Sequence, residues 1–249
     1  MPSDKRVKAA DRTIDLFEAF QRAGCPMSLS EIAAAMEIPV SSCHGLVNTL
    51  VSRGYLSPVG RQRAYYPTRL LYELGRNILG KDPVLSRVTP ILEALRDKCG
   101  ETIVLARRLD RFAQYLLVLE SPKTIRFSAR TSALRSLHSS ALGKALLGAL
   151  PLDKREALAQ TLDYERLTPN TLQNARRLLA DVAEGEKRGW HLTHGESVTD
   201  VSAIAKSLVL AGEHHAVAIA GPLARMTPAL EKHARALAAA CTQMETATA

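Results

Sequence analysis

Cysteine is scarce in this 249-residue chain. The four present, Cys25, Cys43, Cys99 and Cys241, form no CxxC pair. That spacing argues against a disulfide framework and against a zinc knuckle, and it suits a reducing cytoplasm. Long apolar runs are missing too: nothing approaches the roughly 18 to 20 residues that a membrane span needs. The first residues, MPSDKRVKAADRT, are charged and carry no apolar core, unlike a secretory signal. A soluble, cytoplasmic protein is expected. Catalytic signatures are equally sparse, with no GxSxG elbow, no P-loop and no GxGxxG. Internal repeats are absent.

What is present is a globular composition, 46% hydrophobic and 23% charged, with a formal charge of +8. A basic balance suits a polyanionic partner, though many ordinary soluble proteins share it. Its local distribution says more. Arg53, Arg61, Arg63, Arg69 and Arg76 face a single acid, Glu73, so five minus one places half of the net charge between residues 53 and 76.

That basic window overlaps the most patterned stretch of the chain, Ser28 to Tyr66. Before it, residues 13–21 place Ile14, Phe17 and Phe20 on one side of a helix, with Leu16 beside them, ended by Gly24 and Pro26. Ser28 and Glu31 then read as a capping box. Leu29, Ile32, Ala33 and Met36 follow at i, i+3, i+4 and i+7, a helix of about two turns. Pro39 suits the first turn of a second helix, expected over 39–52. On it, Cys43, Leu46, Val47 and Leu50 make an apolar face, while Ser41, His44, Gly45 and Asn48 make a polar or small one. Short hydrogen-bonding side chains on an exposed stripe are what a helix entering the major groove needs. A plain solvated face is the alternative. After Gly54, Tyr55-Leu56 and Ala64-Tyr65-Tyr66 flank a turn-rich segment with two arginines near its tip, a hairpin able to reach phosphates. The outline is a winged helix-turn-helix.

In this order, the capping box, LSEIAAAMEIPVSSCHGLVNTLVSRGYL and the basic hairpin resemble the DNA-binding domain of IclR-type bacterial transcriptional regulators. The resemblance continues through GETIVLARRLD, LHSSALGKALLGALP, RLTPNTL and AVAIAGPLARMT, which look like that family's C-terminal domain. It implies a DNA-binding domain over 7–67, a linker helix over 68–81 that contributes to dimerisation, and an effector-binding and oligomerisation domain over 82–249. Candidate DNA contacts are Ser41, Ser42, His44, Gly45, Asn48, Arg53, Arg61 and Arg63. The partners implied are a pseudo-palindromic double-stranded operator, a small-molecule effector and further copies of the chain, as a dimer or tetramer. Neither catalysis, a cofactor, a metal nor a membrane is expected to be involved.

Beyond the linker the pattern alternates. A helix is expected at about 84–99, then strands at 102–108 and 113–120, with Ile125–Ser128 a third. Helices follow over 139–150, 151–161 and 169–188, then a strand at 190–194. Residues 203–211 and 216–220 form an apolar hairpin turning through Gly212-Glu213-His214-His215, before a helix at 227–244. Strands meandering among helices indicate an α+β fold with an antiparallel sheet, sharpened by the resemblance to a GAF-like domain.

The resemblance also implies an effector pocket lined by Phe127, Ala141, Leu142, Thr193, Ala203, Ala218 and Ala220. Here the chain departs from the family. Ala203 stands where many members have cysteine, Ala218 and Ala220 where many have serine or other polar groups, and Thr193 where an acid is common. Lys206 and Ser207 replace a usual Ala-Pro. Each lost hydroxyl removes a hydrogen bond of roughly 0.5 to 1.5 kcal/mol. An aromatic or alicyclic carboxylate is therefore expected in place of a two- or three-carbon keto acid, unless these alanines simply pack as core. Gly45 is a second departure, since many relatives carry arginine there. One competing reading is an enzyme or metal protein using His191, His194 and Glu196; in a strand, however, 191 and 194 point to opposite faces.

Overall fold

The computed structural model describes residues 7–60 and 63–249, with the backbone alone at Leu79. The chain divides into two compact units, the first ending at Asp82 and the second beginning at Pro83. In the first, α1 (Lys8–Ala23), α2 (Leu29–Ala35) and α3 (Val40–Ser52) pack around one core. A small sheet is built from β1 (Met27–Ser28), β2 (Leu56–Val59) and β3 (Ala64–Pro67), with β3 central and all pairs antiparallel. The helix α4 (Arg69–Leu79) follows.

The local chemistry explains the boundaries. Ser28 Oγ accepts from the Glu31 amide, and the Glu31 carboxylate accepts from the Ser28 amide, so the capping box closes in both directions. Gly24 ends α1 in the left-handed region at φ +64, where a side chain would be strained. Pro39 occupies the N-cap of α3, one position before the first turn. The buried face of α1 carries Leu16, Ala19 and Phe20, whereas Ile14 is 59% exposed. Periodicity identifies a stripe, but the position of the neighbouring helices selects which adjacent stripe is covered. β1 has only two residues, too few to leave a periodic signal, and it pairs Met27 with Tyr65 and Ser28 with Ala64.

The second unit opens with α5 (Pro83–Cys99) and the hairpin β4 (Thr102–Leu109) and β5 (Phe112–Leu119). Next come β6 (Leu134–Ser136), α6 (Ala141–Gly148), α7 (Leu152–Thr161) and α8 (Ala175–Arg188). The strands β7 (His191–His194), β8 (Val201–Leu210) and β9 (Glu213–Pro222) lead through the short α9 (Leu223–Met226) to α10 (Leu230–Thr248). The six strands form one antiparallel sheet in the order β6-β5-β4-β9-β8-β7. The fold class is α+β.

Three expectations require correction. Ile125–Ser128 is not a strand; β6 at 134–136 is the edge strand instead. Side chains capture the Ile125–Ser128 backbone and its neighbours: Thr102 Oγ1 donates to the Phe127 carbonyl at 2.6 Å. The helix expected from 169 starts at Ala175, because Thr168 and Thr171 hold the preceding segment in side-chain hydrogen bonds and Asn174 caps the helix. The last hairpin turns at Ala211-Gly212, both with positive φ as a type I′ turn demands, so His214 and His215 belong to β9.

Side chains alternate across this sheet, and the two faces differ in bulk. Ile103, Leu105, Ile204, Leu208, Val217 and Ile219 point to one face, against Val88 and Leu92 of α5 and Leu237 and Met244 of α10. Val104, Ala106, Ala205, Ala216 and Ala218 point to the other, against Leu142, Ala145 and Leu146 of α6. Branched residues fill the first layer, while alanines on the second let α6 approach and leave space at its N-terminal end.

Candidate nucleic-acid interface and ligand cavity

On α3, Cys43, Val47 and Leu50 are buried and Leu46 is partly covered. Ser41, Ser42, His44, Gly45 and Asn48 are all exposed. The Asn48 amide nitrogen lies 3.2 Å from His44 Nε2, one turn back on the same face. Thr49 donates its hydroxyl to the Gly45 carbonyl at 2.8 Å, which occupies that hydroxyl away from any partner. A Cβ at Gly45 would meet nothing within 4 Å, so no packing constraint demands glycine there. Arg53 is exposed, its guanidinium 5.8 Å from the Tyr55 ring centre. Arg63 is exposed at φ +55 next to β3. Arg61 lies outside the described residues.

In the second unit, one cavity is lined by all seven residues expected at the pocket: Phe127, Ala141, Leu142, Thr193, Ala203, Ala218 and Ala220. Cross-strand register explains much of this. Thr193 pairs with Ala203, Ala203 with Ala220, and Ala220 with Thr102, so one row of short side chains crosses four strands beneath the α6 terminus. Phe127 is held over that row by the Thr102 hydroxyl, which also accepts from the Ser121 amide at 3.1 Å. The sequence reading missed Tyr115, Ser140 and Ser197 on the cavity wall. Ser140 had a legible signal, as the N-cap of α6: it accepts from the Gly143 amide at 3.1 Å and donates to the Ser136 carbonyl at 2.8 Å. Tyr115 lies within β5, where alternation alone does not reveal a cavity. Gly143 is obligatory, since a Cβ there would collide with the Leu137 backbone.

The free volume is unevenly divided. The compartment beside the alanines measures only about 30 Å³. A second compartment of about 280 Å³ shares Tyr115, Phe127, Ser140 and Ser197 with it and opens towards Arg135, Ser139 and Glu165. A cavity of roughly 150 Å³ accommodates benzene, while a few tens of Å³ hold little more than a water. A ring therefore fits the outer compartment, and only a small group fits the inner one. The first amides of a helix have no intrahelical acceptor and carry the positive end of its dipole. A carboxylate-sized group beside Ala141 and Leu142 meets that end. Burial raises the Tyr115 phenol above its ordinary range, and the neighbouring Arg135 guanidinium opposes the rise.

Behind the cavity, Lys144 of α6 is completely buried. Its Nζ lies 2.8 Å from Glu196 Oε1, 2.8 Å from Asp181 Oδ1 and 3.0 Å from the Leu192 carbonyl. Burial pushes the Glu196 carboxyl up, with Lys144 opposing it. His191 is also buried, against Gly148 and Gly185, and burial drives its pKa down to about 4. His194 is exposed. β7 therefore separates the two histidines, and Glu196 is held by the lysine. No group of three or more His, Cys, Asp or Glu side chains comes together among the described residues. No helix among the described residues is long and apolar enough to cross a membrane.

Comparison with known proteins places both units. Residues 77–245 match the family model for the bacterial transcriptional regulator IclR C-terminal domain, and residues 9–60 match the IclR helix-turn-helix domain. The chain is 29% identical over 226 residues to the HTH-type transcriptional regulator BhcR of Paracoccus denitrificans (strain Pd 1222), covering 90% of this chain and 80% of that relative. Its fold resembles the Thermotoga maritima IclR structure, with a TM-score of 0.77, 20% identity, and 97% and 98% of the two chains covered. It also resembles an IclR homolog from Microbacterium hydrocarbonoxydans complexed with 4-hydroxybenzoate, with a TM-score of 0.79, 21% identity, and 96% and 98% covered. With a family model matching more than half of its length, this chain belongs to the IclR family and is a DNA-binding transcriptional regulator with a C-terminal effector-binding domain.

Proposed function

We propose that the protein is a cytoplasmic regulator whose operator affinity is set by an aromatic or alicyclic carboxylate in the C-terminal cavity. The carboxylate sits in the inner compartment, at the N-terminus of α6, and the ring lies in the outer one. The observation carrying this reading is the volume: about 30 Å³ beside the alanines against about 280 Å³ outside them. The 4-hydroxybenzoate complex of a structural relative adds support for the ligand class.

In the N-terminal domain, over 7–67, α3 enters the major groove. Ser41, Ser42, His44 and Asn48 meet base edges, Gly45 leaves a gap in that face, and Arg53, Arg61 and Arg63 meet phosphates. The linker, over 68–81, brings two copies together: Leu70, Leu74 and Ile78 of α4 are exposed at i, i+4 and i+8, one apolar face that self-association covers. A two-fold dimer presents two recognition helices to a pseudo-palindromic site. The domain over 82–249 binds the ligand, and the role is regulation without catalysis. Ligand shifts DNA affinity only by as much as it prefers one state of the dimer over the other.

The test is binding of the full-length protein to DNA from upstream of its own gene, with and without acids. Benzoate-type acids are expected to raise the melting temperature and to change operator affinity. Stabilisation by glyoxylate and pyruvate alone would sink the ligand class.

A further inference from the structure

Glu101 of GETIVLARRLD and Arg225 of AVAIAGPLARMT lie outside the site described above, and they meet although 124 positions separate them. Glu101 stands just before β4 with its side chain 2% exposed, and Arg225 lies on α9. The guanidinium forks onto the carboxylate, Nε donating to Oε1 at 2.7 Å and Nη2 to Oε2 at 2.8 Å. Gly221 leaves room for the carboxylate, since a Cβ there would collide with it. Burial pushes the Glu101 carboxyl up, but Arg225 and Lys123 outweigh burial and hold the group below its ordinary value.

The pair fastens the segment 121–128, which forms neither helix nor strand. Every second residue of that segment is anchored. Ser121 donates its hydroxyl to the Gly100 carbonyl at 2.8 Å, and Lys123 Nζ donates to Glu101 Oε1 at 3.0 Å. Arg225 Nη2 donates to the Ile125 carbonyl at 2.8 Å, and the Thr102 hydroxyl donates to the Phe127 carbonyl. Phe127, at the end of this series, lines both compartments of the cavity.

We propose that Arg225 is a positioning residue for the effector: Glu101 orients its guanidinium, which through the Ile125 carbonyl sets where the Phe127 ring stands over the ligand. The inference rests on the cavity being the effector site. A guanidinium is a rigid, planar fork, so fixing two of its N–H groups on one carboxylate also fixes the direction of the others. An ammonium is a point charge and cannot aim a further donor in this way. A segment without ladder hydrogen bonds opens easily unless side chains hold it. Ordering Phe127 before the ligand arrives lowers the entropy that binding would otherwise cost.

The test uses the full-length chain and three variants. Arg225→Lys keeps the charge beside Glu101 but loses the fork, and Phe127→Ala removes the ring itself. Arg155→Gln breaks the Arg155–Glu186 pair, away from the cavity, and controls for lost stability. Amide hydrogen exchange over 121–128 is measured without ligand, and calorimetric titration uses benzoate, 4-hydroxybenzoate, pyruvate and glyoxylate. Arg225→Lys is expected to exchange faster over 121–128 and to bind the acid that binds wild type about tenfold more weakly. Arg155→Gln should lower the melting temperature and move neither readout. Unchanged exchange in Arg225→Lys overturns the inference. So does faster exchange with wild-type affinity while Phe127→Ala binds weakly, and so does an Arg155→Gln variant that moves both readouts. Full affinity in both Arg225→Lys and Phe127→Ala removes the cavity as the effector site, and the inference with it. If none of the four acids binds wild type, the proposed ligand class falls and exchange alone decides for or against the clamp. Melting curves check folding; should Arg225→Lys not fold, Glu101→Asp, which shortens the carboxylate without removing it, is read by the same criteria.

Discussion

Lys144 Nζ lies 2.8 Å from Glu196 Oε1, with the lysine fully buried and the glutamate nearly so. The pair joins α6, whose first turn lines the candidate ligand cavity, to the segment after β7, whose Ser197 lines it from the other side. Opposing walls of one cavity are thus tied through one buried ammonium, which also reaches Asp181 and the Leu192 carbonyl. Glu196 is held a second way, since the hydroxyls of Thr168 and Thr171 donate to its carbonyl.

Replacing that lysine should be costly. Lys144→Met leaves a buried carboxylate without its cation, and breaking a buried pair in this way costs roughly 3 to 5 kcal/mol. The double variant Lys144→Met with Glu196→Gln should recover a large part of the loss, because the more deeply buried of the two stranded carboxylates is neutralised, while Asp181 keeps access to solvent. Urea denaturation of both variants checks this; equal destabilisation of single and double variants would show that packing, not charge, dominates.

His191 predicts a pH dependence. Burial depresses its folded pKa from 6.5 to about 4, so between those values the unfolded chain binds the proton more readily. The contribution is fully present above about pH 6.5 and is lost as pH falls through that window, at roughly 1.4 kcal/mol per pH unit. Asp181, Glu186, Lys144 and Arg188 surround the imidazole, and the two carboxylates moderate the shift. Denaturant titrations at pH 7, 6 and 5 on wild type and His191→Gln should show their stability difference shrinking as pH falls. A difference independent of pH would refute the assignment.

At Gly45 the two roles of α3 separate. Open space at its Cβ means that Gly45→Ala should stabilise the first domain by about 0.8 to 1 kcal/mol, the helix-propensity difference. Gly45→Arg should add a phosphate or guanine contact, tightening DNA binding and steepening its salt dependence by about one counterion. Thermal melting reads the first and salt-dependent anisotropy the second. An unchanged salt slope would place position 45 off the DNA.

Thr102→Val tests how Phe127 is held. The change keeps the shape of the side chain but removes the donor to the Phe127 carbonyl and the acceptor for the buried Ser121 amide. Leaving a buried amide unpaired costs roughly 1 to 3 kcal/mol. Ligand affinity should fall with it, while DNA affinity without ligand stays unchanged. Titration of wild type and Thr102→Val with one acid, beside a DNA titration, separates these outcomes.

The sequence determined what depends on near neighbours. The capping box of Ser28 and Glu31, the buried face Cys43–Val47–Leu50 and the breaks at Gly24 and Gly54 follow from helical spacing and backbone chemistry. So does the strand that sends His191 and His194 to opposite faces. Seven cavity residues were reached through family motifs, and they line one cavity. Tertiary structure decided what depends on distant partners. It chose Leu16 over Ile14 because the other helices cover only that side. It moved the edge strand from 125–128 to 134–136 because the Thr102 side chain claims the Phe127 carbonyl. It buried Lys144, which composition alone would leave in solvent, because Glu196 and Asp181 arrive from elements far along the chain. It also set the cavity volume. The alanines announced small side chains, but only packing decides whether missing atoms leave space, and beside the alanines the sheet and α6 close in until little remains. The room lies one compartment outward, at Arg135 and Glu165, where no local pattern marks it.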